Sequence, residues 1–416
     1  MSLSLHKSRL DWRHDRLKDV ASLRSEKTDE KSSVEDYLEL EDIESWSMRI
    51  LNWRNTEEVE SAVTKFEKGD VLFGKLRPYL AKVCRPGKSG KCTGEILAIH
   101  PTHIDGGYLQ YALIDPEMIK KCTLFSYGAK MPRVNWTTQL STFEIPIPPR
   151  PEQERIAAFL DEKCATVDKA IEVKRKQLDS IAGQRKSLIT QSVVSGLGPC
   201  QSRKTDIEWM PLVNSGWEVV SLKRLLSRKM EYGLSEAAEL EDESLPRYIR
   251  ITDFGDDGEL KDDTFRSLPV EIAKEAMLQA NDVLFARSGA TVGKSYIYTG
   301  WRTGACFAGY LIRAQTKPWR LNPKFLYYFT KSAAYDAWKG LIFTQATIQN
   351  ISAVKYGQLR IPVPPVRTQN EIVSYLEARE VEFDSLAANL RKQIEILKQY
   401  RKSLIHEYVT GVRRVV

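Results

Sequence analysis

The chain has 416 residues, a formal net charge of +7, 42% hydrophobic residues and 28% charged residues. This length is too great for one hydrophobic core, so we expect two or more folded domains of ordinary globular composition. The mildly basic charge indicates solvated surface and, taken alone, does not argue for nucleic acid.

The cysteines and the apolar residues argue against disulfide-stabilised, zinc-binding, secreted and membrane-spanning proteins. Six cysteines lie far apart without a Cys-x-x-Cys pair, so neither a disulfide framework nor a zinc site is indicated. The first residues lack an apolar signal core, and no run of about 18 apolar residues occurs. We therefore predict a soluble cytoplasmic protein. Its free thiols are expected at Cys84, Cys92, Cys122, Cys164, Cys200 and Cys306.

The first segment, residues 1–147, is predicted to be a globular domain with strands and helices. Asp70–Phe73 and Glu95–Ile99 are short apolar runs bounded by turn residues, as strands commonly are. Tyr108–Ile114 is predicted to form a short helix.

The second segment, residues 148–198, is predicted to be one long helix. Pro148 and Pro149 enforce an extended backbone before it, and Pro151 suits a first helical turn because its missing N–H has no helical partner there. Apolar residues then step by four and three, which indicates a coiled-coil seam. Gly196 and the residues after it end the helix. The seam residues are Leu160, Cys164, Val167, Ile171, Leu178, Ile181 and Leu188.

The third segment, residues 199–363, repeats the first in a looser form. Asp282–Arg287 matches Asp70–Lys75, and the spacing from Trp217 to Lys223 matches that from Trp12 to Lys18. The two globular segments are therefore related but have diverged.

The fourth segment, residues 364–416, repeats the long helix. Residues 361–413 align with 145–197 at a constant offset of 216, and 17 of the 53 pairs are identical. Each copy is mixed in charge, which favours a solvated or helix-pairing surface over a basic arm. Arg185 and Arg401 interrupt the seam at equivalent places, either to fix an antiparallel register or to reach solvent from the seam edge. The second seam comprises Leu376, Phe383, Ala387, Leu390, Ile394, Leu397, Leu404 and Tyr408.

The strongest sign of an enzyme is the run Gly289–Ser295, which follows a strand-like run and ends in Gly-Lys-Ser. A phosphate-binding loop of this type needs four residues between its glycines, and three are present. We therefore interpret the run as a polar turn that can bring Arg287 and Lys294 to a phosphate backbone or a base edge. His100 and His103 lie without ligand partners at metal-binding spacing and are interpreted as loop surface.

A second pair of loops differs in chemistry between the halves. Ser126–Arg133 is cationic, whereas the corresponding Thr344–Asn350 is rich in amides. Lys and Arg suit guanine edges, while Gln and Asn suit adenine edges. The competing interpretation is that each loop only caps its own domain.

Together, these motifs resemble the specificity (S) subunit of type I restriction–modification systems over essentially the full chain. No single motif decides this, but their order and double occurrence are specific. They are Tyr248–Asp253, Asp282–Lys294, Ala346–Ser352 and the Pro-Pro-x-x-x-Gln runs Pro148–Gln153 and Pro364–Gln369.

The resemblance implies an α/β (α+β) fold with an internal pseudo-two-fold repeat. Two target-recognition domains, residues 1–147 and 199–363, would be separated by two long spacer helices, 148–198 and 364–416, that form an antiparallel coiled coil. Each domain would read one half of a split double-stranded DNA target. The helices would set the spacing and dock methyltransferase subunits, expected in two copies, to which restriction–translocation subunits attach.

The same resemblance implies a chain without catalytic residues, metal or cofactor of its own. S-adenosylmethionine, and ATP with Mg for restriction, would be used by other subunits. The first domain departs from the pattern, because Gly74–Arg77 stands where the second has Ala286–Gly289, and no Gly-Lys follows.

From loop position and side-chain chemistry we predict two sets of functional residues. The predicted DNA contacts are Lys75, Arg77, Tyr127, Lys130 and Arg133 in the first domain and Arg287, Ser288, Lys294, Gln345, Thr347 and Gln349 in the second. The predicted coiled-coil and docking residues are Leu160, Val167, Ile171, Leu178, Leu188, Leu376, Phe383, Leu390, Ile394 and Leu404.

Two alternatives belong to other classes of protein. One is a nucleotide-binding enzyme that uses Gly289–Ser295, which binding or hydrolysis of ATP by the purified chain would support. The other is a coiled-coil scaffold whose domains bind proteins, which an absence of DNA preference would favour. The bases read by each domain and the spacer length do not follow from the sequence.

Overall fold

A computed structural model describes residues 12–255, 259–344 and 349–415. The chain forms two compact units. Unit 1 contains Met1–Lys176 together with Leu390–Val416, and unit 2 contains Gln177–Asn389. Each unit therefore contains one globular segment and a part of both long helices. Within the described ranges, no helix combines the length and the apolar character that a membrane span requires.

Among its described residues, unit 1 builds its globular part from ten short strands and three short α-helices, followed by the first long helix. The predicted strands at Asp70–Phe73 and Glu95–Ile99 and the predicted helix at Tyr108–Ile114 are confirmed. The elements are β1 (Arg13–Arg16), α1 (Leu17–Val20), β2 (Ala21–Arg24), β3 (Lys27–Thr28), β4 (Tyr37–Leu38), β5 (Val63–Phe66), β6 (Val71–Gly74), β7 (Val83–Cys84), β8 (Gly90–Cys92), β9 (Ile96–Pro101), α2 (Gly106–Ile114), α3 (Pro116–Leu124), β10 (Glu144–Ile147) and α4 (Arg150–Val194).

The strands of unit 1 form two four-stranded sheets and one two-stranded ribbon. The orders are β2-β9-β6-β7, β3-β5-β8-β4 and β1-β10. Both β6 and the first four residues of β9 are fully buried runs, as expected of strands covered on both faces. The ribbon pairs Arg13 with Ile147 and so joins the start of the domain to the residues that lead into α4.

The main core of unit 1 uses both long helices. Ile156 and Leu160 from the start of α4 pack in one cluster with Leu404 and Ile405, which lie near the end of the chain. The hydroxyl of Tyr108 on α2 donates a 3.0 Å hydrogen bond to the carbonyl of Val409. The last helix therefore completes the core of the first domain.

Unit 2 repeats this plan, and the second long helix follows its globular part. Its four-stranded sheet has the order β14-β19-β16-β17, and β13 pairs with β20 as β1 does with β10. The elements are β11 (Ser202–Lys204), β12 (Leu212–Asn214), β13 (Glu218–Ser221), α5 (Leu222–Leu225), β14 (Glu231–Tyr232), β15 (Arg247–Ile249), α6 (Val270–Ala273), β16 (Val283–Ala286), β17 (Ser295–Ile297), β18 (Ala305–Phe307), β19 (Leu311–Ala314), α7 (Pro323–Phe329), α8 (Ala333–Thr344), α9 (Ala353–Gln358), β20 (Arg360–Val363) and α10 (Val366–Val409).

The main core of unit 2 also draws on both long helices. Ile189 and Val193 from the end of α4 lie in one cluster with Ile372 and Leu376 from the start of α10. Each unit is thus completed by the beginning of one long helix and the end of the other.

The two long helices pair within each unit, as the heptad pattern predicts, and they run antiparallel, as the family resemblance implies. In unit 1 the rings of Phe159 and Tyr408 lie 4.5 Å apart, and Arg401 Nε lies 3.1 Å from Asp168 Oδ1. In unit 2 the guanidinium of Arg185 donates 3.0 Å to Asp384. The predicted seam residues are buried at Leu160, Cys164, Val167, Ile171, Leu376, Phe383, Ile394, Leu404 and Tyr408 and half-buried at Leu178, Ile181, Leu188, Ala387, Leu390 and Leu397.

The two seam arginines occupy equivalent positions but unequal surroundings. Arg401 is 4% exposed, and it donates to the carbonyls of Trp46 at 2.6 Å and Ser47 at 3.0 Å. Arg185 has a side chain that is 32% exposed, and it binds Glu380 as well as Asp384. Both arginines therefore turn into the helix pair, as required if they fix its register.

The Pro-Pro-x-x-x-Gln motif has a structural explanation in both copies. The buried amide of Gln153 accepts a 2.7 Å hydrogen bond from the backbone N–H of Asp105 and donates 2.8 Å to the carbonyl of Pro148. Gln369 does the same with Asn322 and Pro364. Asp105 and Asn322 cap α2 and α7, so each glutamine fastens the start of a long helix to a helix of its domain.

His100 does not lie in a loop, so that prediction was wrong. It belongs to β9, and its Nδ1 lies 2.9 Å from Oδ1 of the buried Asp70. Arg24 donates to the same carboxylate at 2.7 Å. Burial would raise the pKa of Asp70, but hydrogen bonds from Arg24, the Glu67 N–H and His100 lower it below its usual value. The apolar run that predicts this strand ends at Ile99, so the sequence did not reveal that the strand continues through His100 and places it beside Asp70.

Candidate nucleic-acid interface

In unit 1, the residue that follows β6 is held by two backbone hydrogen bonds. The N–H of Lys75 donates 3.0 Å to the carbonyl of Glu95, and its carbonyl accepts 3.0 Å from the N–H of Val134. Leu76 then forms a β-bridge with Arg133. The side chains of Lys75, Glu95 and Arg133 are thereby brought to one end of the sheet.

Unit 2 repeats this backbone arrangement after β16. The N–H of Arg287 donates 3.0 Å to the carbonyl of Tyr310, and its carbonyl accepts 2.8 Å from the N–H of Ile351. Ser288 then forms a β-bridge with Asn350. The same frame therefore carries Lys75, Glu95 and Arg133 in one unit and Arg287, Tyr310 and Asn350 in the other. We call these two sets the strand-end triads.

The residue two places further along adopts a left-handed backbone in both units. Arg77 has a φ of 50° and Gly289 a φ of 78°. An arginine pays a steric penalty in this region that glycine avoids. The departure from the family pattern at Arg77 is thus a change of side chain on a backbone turn that both units share.

The first strand-end triad is charged and partly self-neutralised. Arg133 donates to both carboxylate oxygens of Glu95, at 2.9 and 3.1 Å, and this hydrogen-bonded pair raises the pKa of Arg133. The loop before it folds back through paired hydrogen bonds between Tyr127 and Arg133. Tyr127 is 57% exposed, and Lys130 is exposed at the tip.

The second strand-end triad leaves polar atoms without partners. Nε of Arg287 and Oδ1 of Asn350 are buried yet form no hydrogen bond within the described part of the chain. The guanidinium of Arg287 lies 4.9 Å from the ring centroid of Tyr232. Tyr232 and Tyr310 are 45% and 61% exposed. Buried donors and acceptors of this kind usually meet a ligand or water.

The Gly289–Ser295 turn is not arranged as a phosphate cradle. The N–H groups of Val292, Gly293 and Lys294 donate to carbonyls of the same hairpin at 3.0, 2.9 and 2.9 Å. A phosphate-binding loop directs such groups at its ligand instead. The spacing argument against a nucleotide-binding loop is therefore supported by the backbone.

The structure brings together most of the predicted contact residues in each unit. In unit 1, Lys75 and Arg77 lie beside the loop of Tyr127, Lys130 and Arg133, because the N–H of Arg77 donates 2.7 Å to Pro132. In unit 2, Arg287 and Ser288 lie beside the segment that contains Gln349, and Lys294 closes the same hairpin. Gln345 and Thr347 lie outside the described residues.

The sequence prediction missed Glu95, Tyr310 and Tyr232, and it placed Asn350 in a candidate loop without naming it as a contact. Glu95 and Tyr310 each stand directly before a buried strand, β9 and β19. A charged or aromatic residue at the start of a buried apolar run was the available signal. Their side-by-side placement with Lys75 and Arg287 depends on long-range strand pairing, which one sequence does not reveal.

Comparisons with known proteins point to one family in sequence. The chain is 26% identical over 368 residues to a putative type I restriction enzyme MjaX specificity subunit of Methanocaldococcus jannaschii, covering 83% of this chain and 79% of the relative. It is 28% identical over 185 residues to the type I restriction enzyme EcoDI specificity subunit of Escherichia coli. That match spans 44% of this chain and only 40% of the E. coli protein.

A solved structure has the same fold. One chain of a structure described as "Structural basis underlying complex assembly and conformational transition of the type I R-M system" superposes with a TM-score of 0.71 at 18% identity. The superposition covers 97% of this chain and 99% of the other. The sequence profile of the type I restriction modification DNA specificity domain matches twice, at residues 9–182 and 214–396. Because these two matches span most of the sequence, the chain belongs to the type I restriction–modification DNA specificity family.

Proposed function

We propose that this chain is the DNA-recognition subunit of a type I restriction–modification complex. Its two domains read the two halves of a split double-stranded target. The observation that carries the proposal is the pair of strand-end triads, because one backbone frame presents Lys75, Glu95 and Arg133 in unit 1 and Arg287, Tyr310 and Asn350 in unit 2. Different side chains on a common frame are what two readers of different half-sites require.

The chemistry of the side chains around the strand-end triads supports contact with bases in a groove. Arg287 carries guanidinium donors that suit a guanine edge, and Asn350 has an amide that suits adenine. Tyr127, Tyr232 and Tyr310 add exposed aromatic surface next to these groups. Lys130 and Arg77 supply charge for phosphate oxygens, which positions a domain without specifying a sequence.

The long helices complete the proposal. They hold each domain through a buried glutamine and carry the seam, and we assign to them the spacing of the half-sites and the docking of two methyltransferase subunits. Restriction subunits attach through that core. The other subunits use S-adenosylmethionine, ATP and Mg²⁺. This chain acts in the cytoplasm and contributes recognition without catalysis.

Mapping methylated adenines in cells tests the proposal. Cells with the intact chain should show one split motif with a fixed gap, and cells without the chain should lose it. Arg287→Ala should relax one half of the motif and Lys75→Ala the other, because each side chain belongs to one unit. A lost base contact costs about 1–3 kcal/mol, or roughly 5- to 150-fold in preference.

A matched control is Lys274→Ala, which removes an exposed lysine that pairs with Glu271 in unit 2. It should leave the motif unchanged. If Arg287→Ala and Lys75→Ala altered the same half of the motif, or neither half, the assignment of one reader to each unit would be wrong.

A further inference from the structure

Unit 2 contains a cationic pocket between its part of the long helices and its globular part. Its walls come from α4, from the end of the Gly289–Ser295 turn, from α7 and α8, and from α10. Five cations line it, with two carboxylates among the lining residues. The charged residues are Arg185, Lys186, Lys294, Lys331, Lys339, Asp336 and Glu380.

The two carboxylates neutralise only part of this charge. Glu380 is engaged by Arg185, whose guanidinium donates 2.8 Å to it. Asp336 is shared, because Lys186 binds it and Lys339 lies 2.7 Å from its other oxygen. Because two lysines share Asp336, positive charge remains in a partly enclosed space, where repulsion between like charges is weakly screened.

Lys331 occupies the centre of this positive charge. Its ammonium lies 3.4 Å from the carbonyl of Ser295 and 4.6 Å from the ring centroid of Tyr327, and it makes no ion pair with a carboxylate among the described residues. Burial and then the nearby Lys294, Lys339 and Arg185 lower the pKa of Lys331 to about 8. A buried lysine surrounded by like charges is destabilising unless an anion offsets it.

We propose that this pocket binds a phosphate group of the DNA backbone, with Lys331 as its central donor. The inference rests on the proposed function for the identity of the ligand. Ammonium groups and a guanidinium are the side-chain groups that bind phosphate oxygens, and four lysines and one arginine line the pocket. The N–H of Ala286, the residue before Arg287, donates 2.9 Å to the carbonyl of Lys294, so the proposed base contact and the pocket belong to one hairpin.

The equivalent place in unit 1 is built differently. Lys402 and Arg401 are the repeat partners of Lys186 and Arg185, but the Lys402 ammonium lies 3.8 Å from the centroid of the Trp46 ring. Arg401 is occupied by two carbonyls and Asp168. The repeat has therefore kept the cations in both units, while the globular part of unit 1 covers them with an aromatic ring.

Binding of the full chain to duplex DNA across a range of salt concentrations tests this site. Lys331→Met keeps the aliphatic stem and removes the charge. We expect roughly 3- to 10-fold weaker binding to every sequence and an unchanged sequence preference. The salt slope, which is the slope of log affinity against log salt concentration, should be smaller in magnitude by about 1. Lys331→Arg should retain the slope of the unaltered chain. Lys317→Met, which removes a half-buried lysine outside the pocket, should also retain it.

Three outcomes would overturn the proposal. The first is an unchanged salt slope for Lys331→Met while sequence preference persists, in which case DNA recognition stands and the pocket does not. The second concerns inorganic phosphate, whose binding to the full chain is followed by ³¹P NMR. If phosphate saturates the chain and duplex DNA does not displace it, free phosphate is the ligand. The third is a Lys331→Arg variant that loses the slope as Lys331→Met does. Failure of the proposed function is seen separately, as an absence of sequence preference in the unaltered chain.

Discussion

A histidine near the end of α10 gives unit 1 a pH-dependent contact. His406 Nδ1 lies 2.9 Å from Oδ1 of Asp115, whose other oxygen caps the start of α3. The hydrogen bond that His406 donates to Asp115 raises the pKa of His406 above its usual 6.5, although burial opposes this. The charges of Asp115, Glu117 and Glu407 raise it further. The protonated histidine therefore fastens the last helix to the first domain.

The sign of the pH effect follows from the raised pKa. Stabilisation by a group with a raised folded-state pKa is fully present below its unfolded pKa and is lost as the pH rises through the folded value. We expect His406→Gln to destabilise unit 1 at about pH 5.5 and much less at about pH 8.5. Hydrogen exchange of the α3 amides, corrected for intrinsic rates, measures this. Equal effects at both pH values would contradict it.

At the scale of elements, each long helix has an arginine at the same position of the repeat, but the two arginines lie in different environments. Removing Arg401 leaves Asp168 and two carbonyls without their donor in a buried site, where burial already raises the pKa of Asp168. Breaking a buried pair of this kind costs about 3–5 kcal/mol. Removing Arg185 affects Glu380 and Asp384, whose side chains are 20% and 65% exposed. Because Arg185 itself is 32% exposed, a smaller loss of about 1 kcal/mol is expected.

Arg401→Met and Arg185→Met are each other's control, because they make the same change at equivalent positions of the repeat. Hydrogen exchange in the helix pair of each unit should show a large loss of protection in unit 1 and a small one in unit 2. A comparable loss in both units would show that burial does not set the contribution of these arginines.

The elements were largely predictable, and the candidate site was not. The prolines, the 4-3 spacing and the closing glycine predict α4 to within a few residues, because helix signals are local. The pairing of Lys75 with Glu95 and Val134 is not local, and neither is the contact of Gln153 with Asp105. The sequence indicated which loops differ between the halves but not which of their side chains share one backbone frame.

At the scale of the whole molecule, the end of each long helix is buried in the unit that does not contain the globular segment before it. Ile405 follows the second domain in the sequence but is buried in unit 1, and its repeat partner Ile189 follows the first domain but is buried in unit 2. Both side chains are 4% exposed or less. The order of segments in the chain therefore differs from the composition of the folded units.

Ile405→Ala and Ile189→Ala test this arrangement. Each removes about 2–5 kcal/mol from the unit that buries the side chain. We expect Ile405→Ala to increase hydrogen exchange in the strands of residues 13–147 and Ile189→Ala to increase it in those of residues 202–363. Exchange that increased in the domain next to each substitution in sequence would contradict the assignment.

The completion of unit 1 by α10 also sets when the first domain can finish folding during synthesis. Leu160 must wait for Leu404, which leaves the ribosome some 240 residues later. At about 5–20 residues per second, this interval lasts on the order of 10–50 s. Throughout it, the apolar face at the start of α4 lacks its partner helix and is open to wrong contacts. A domain that is first in the sequence is thus among the last parts of this protein to be completed.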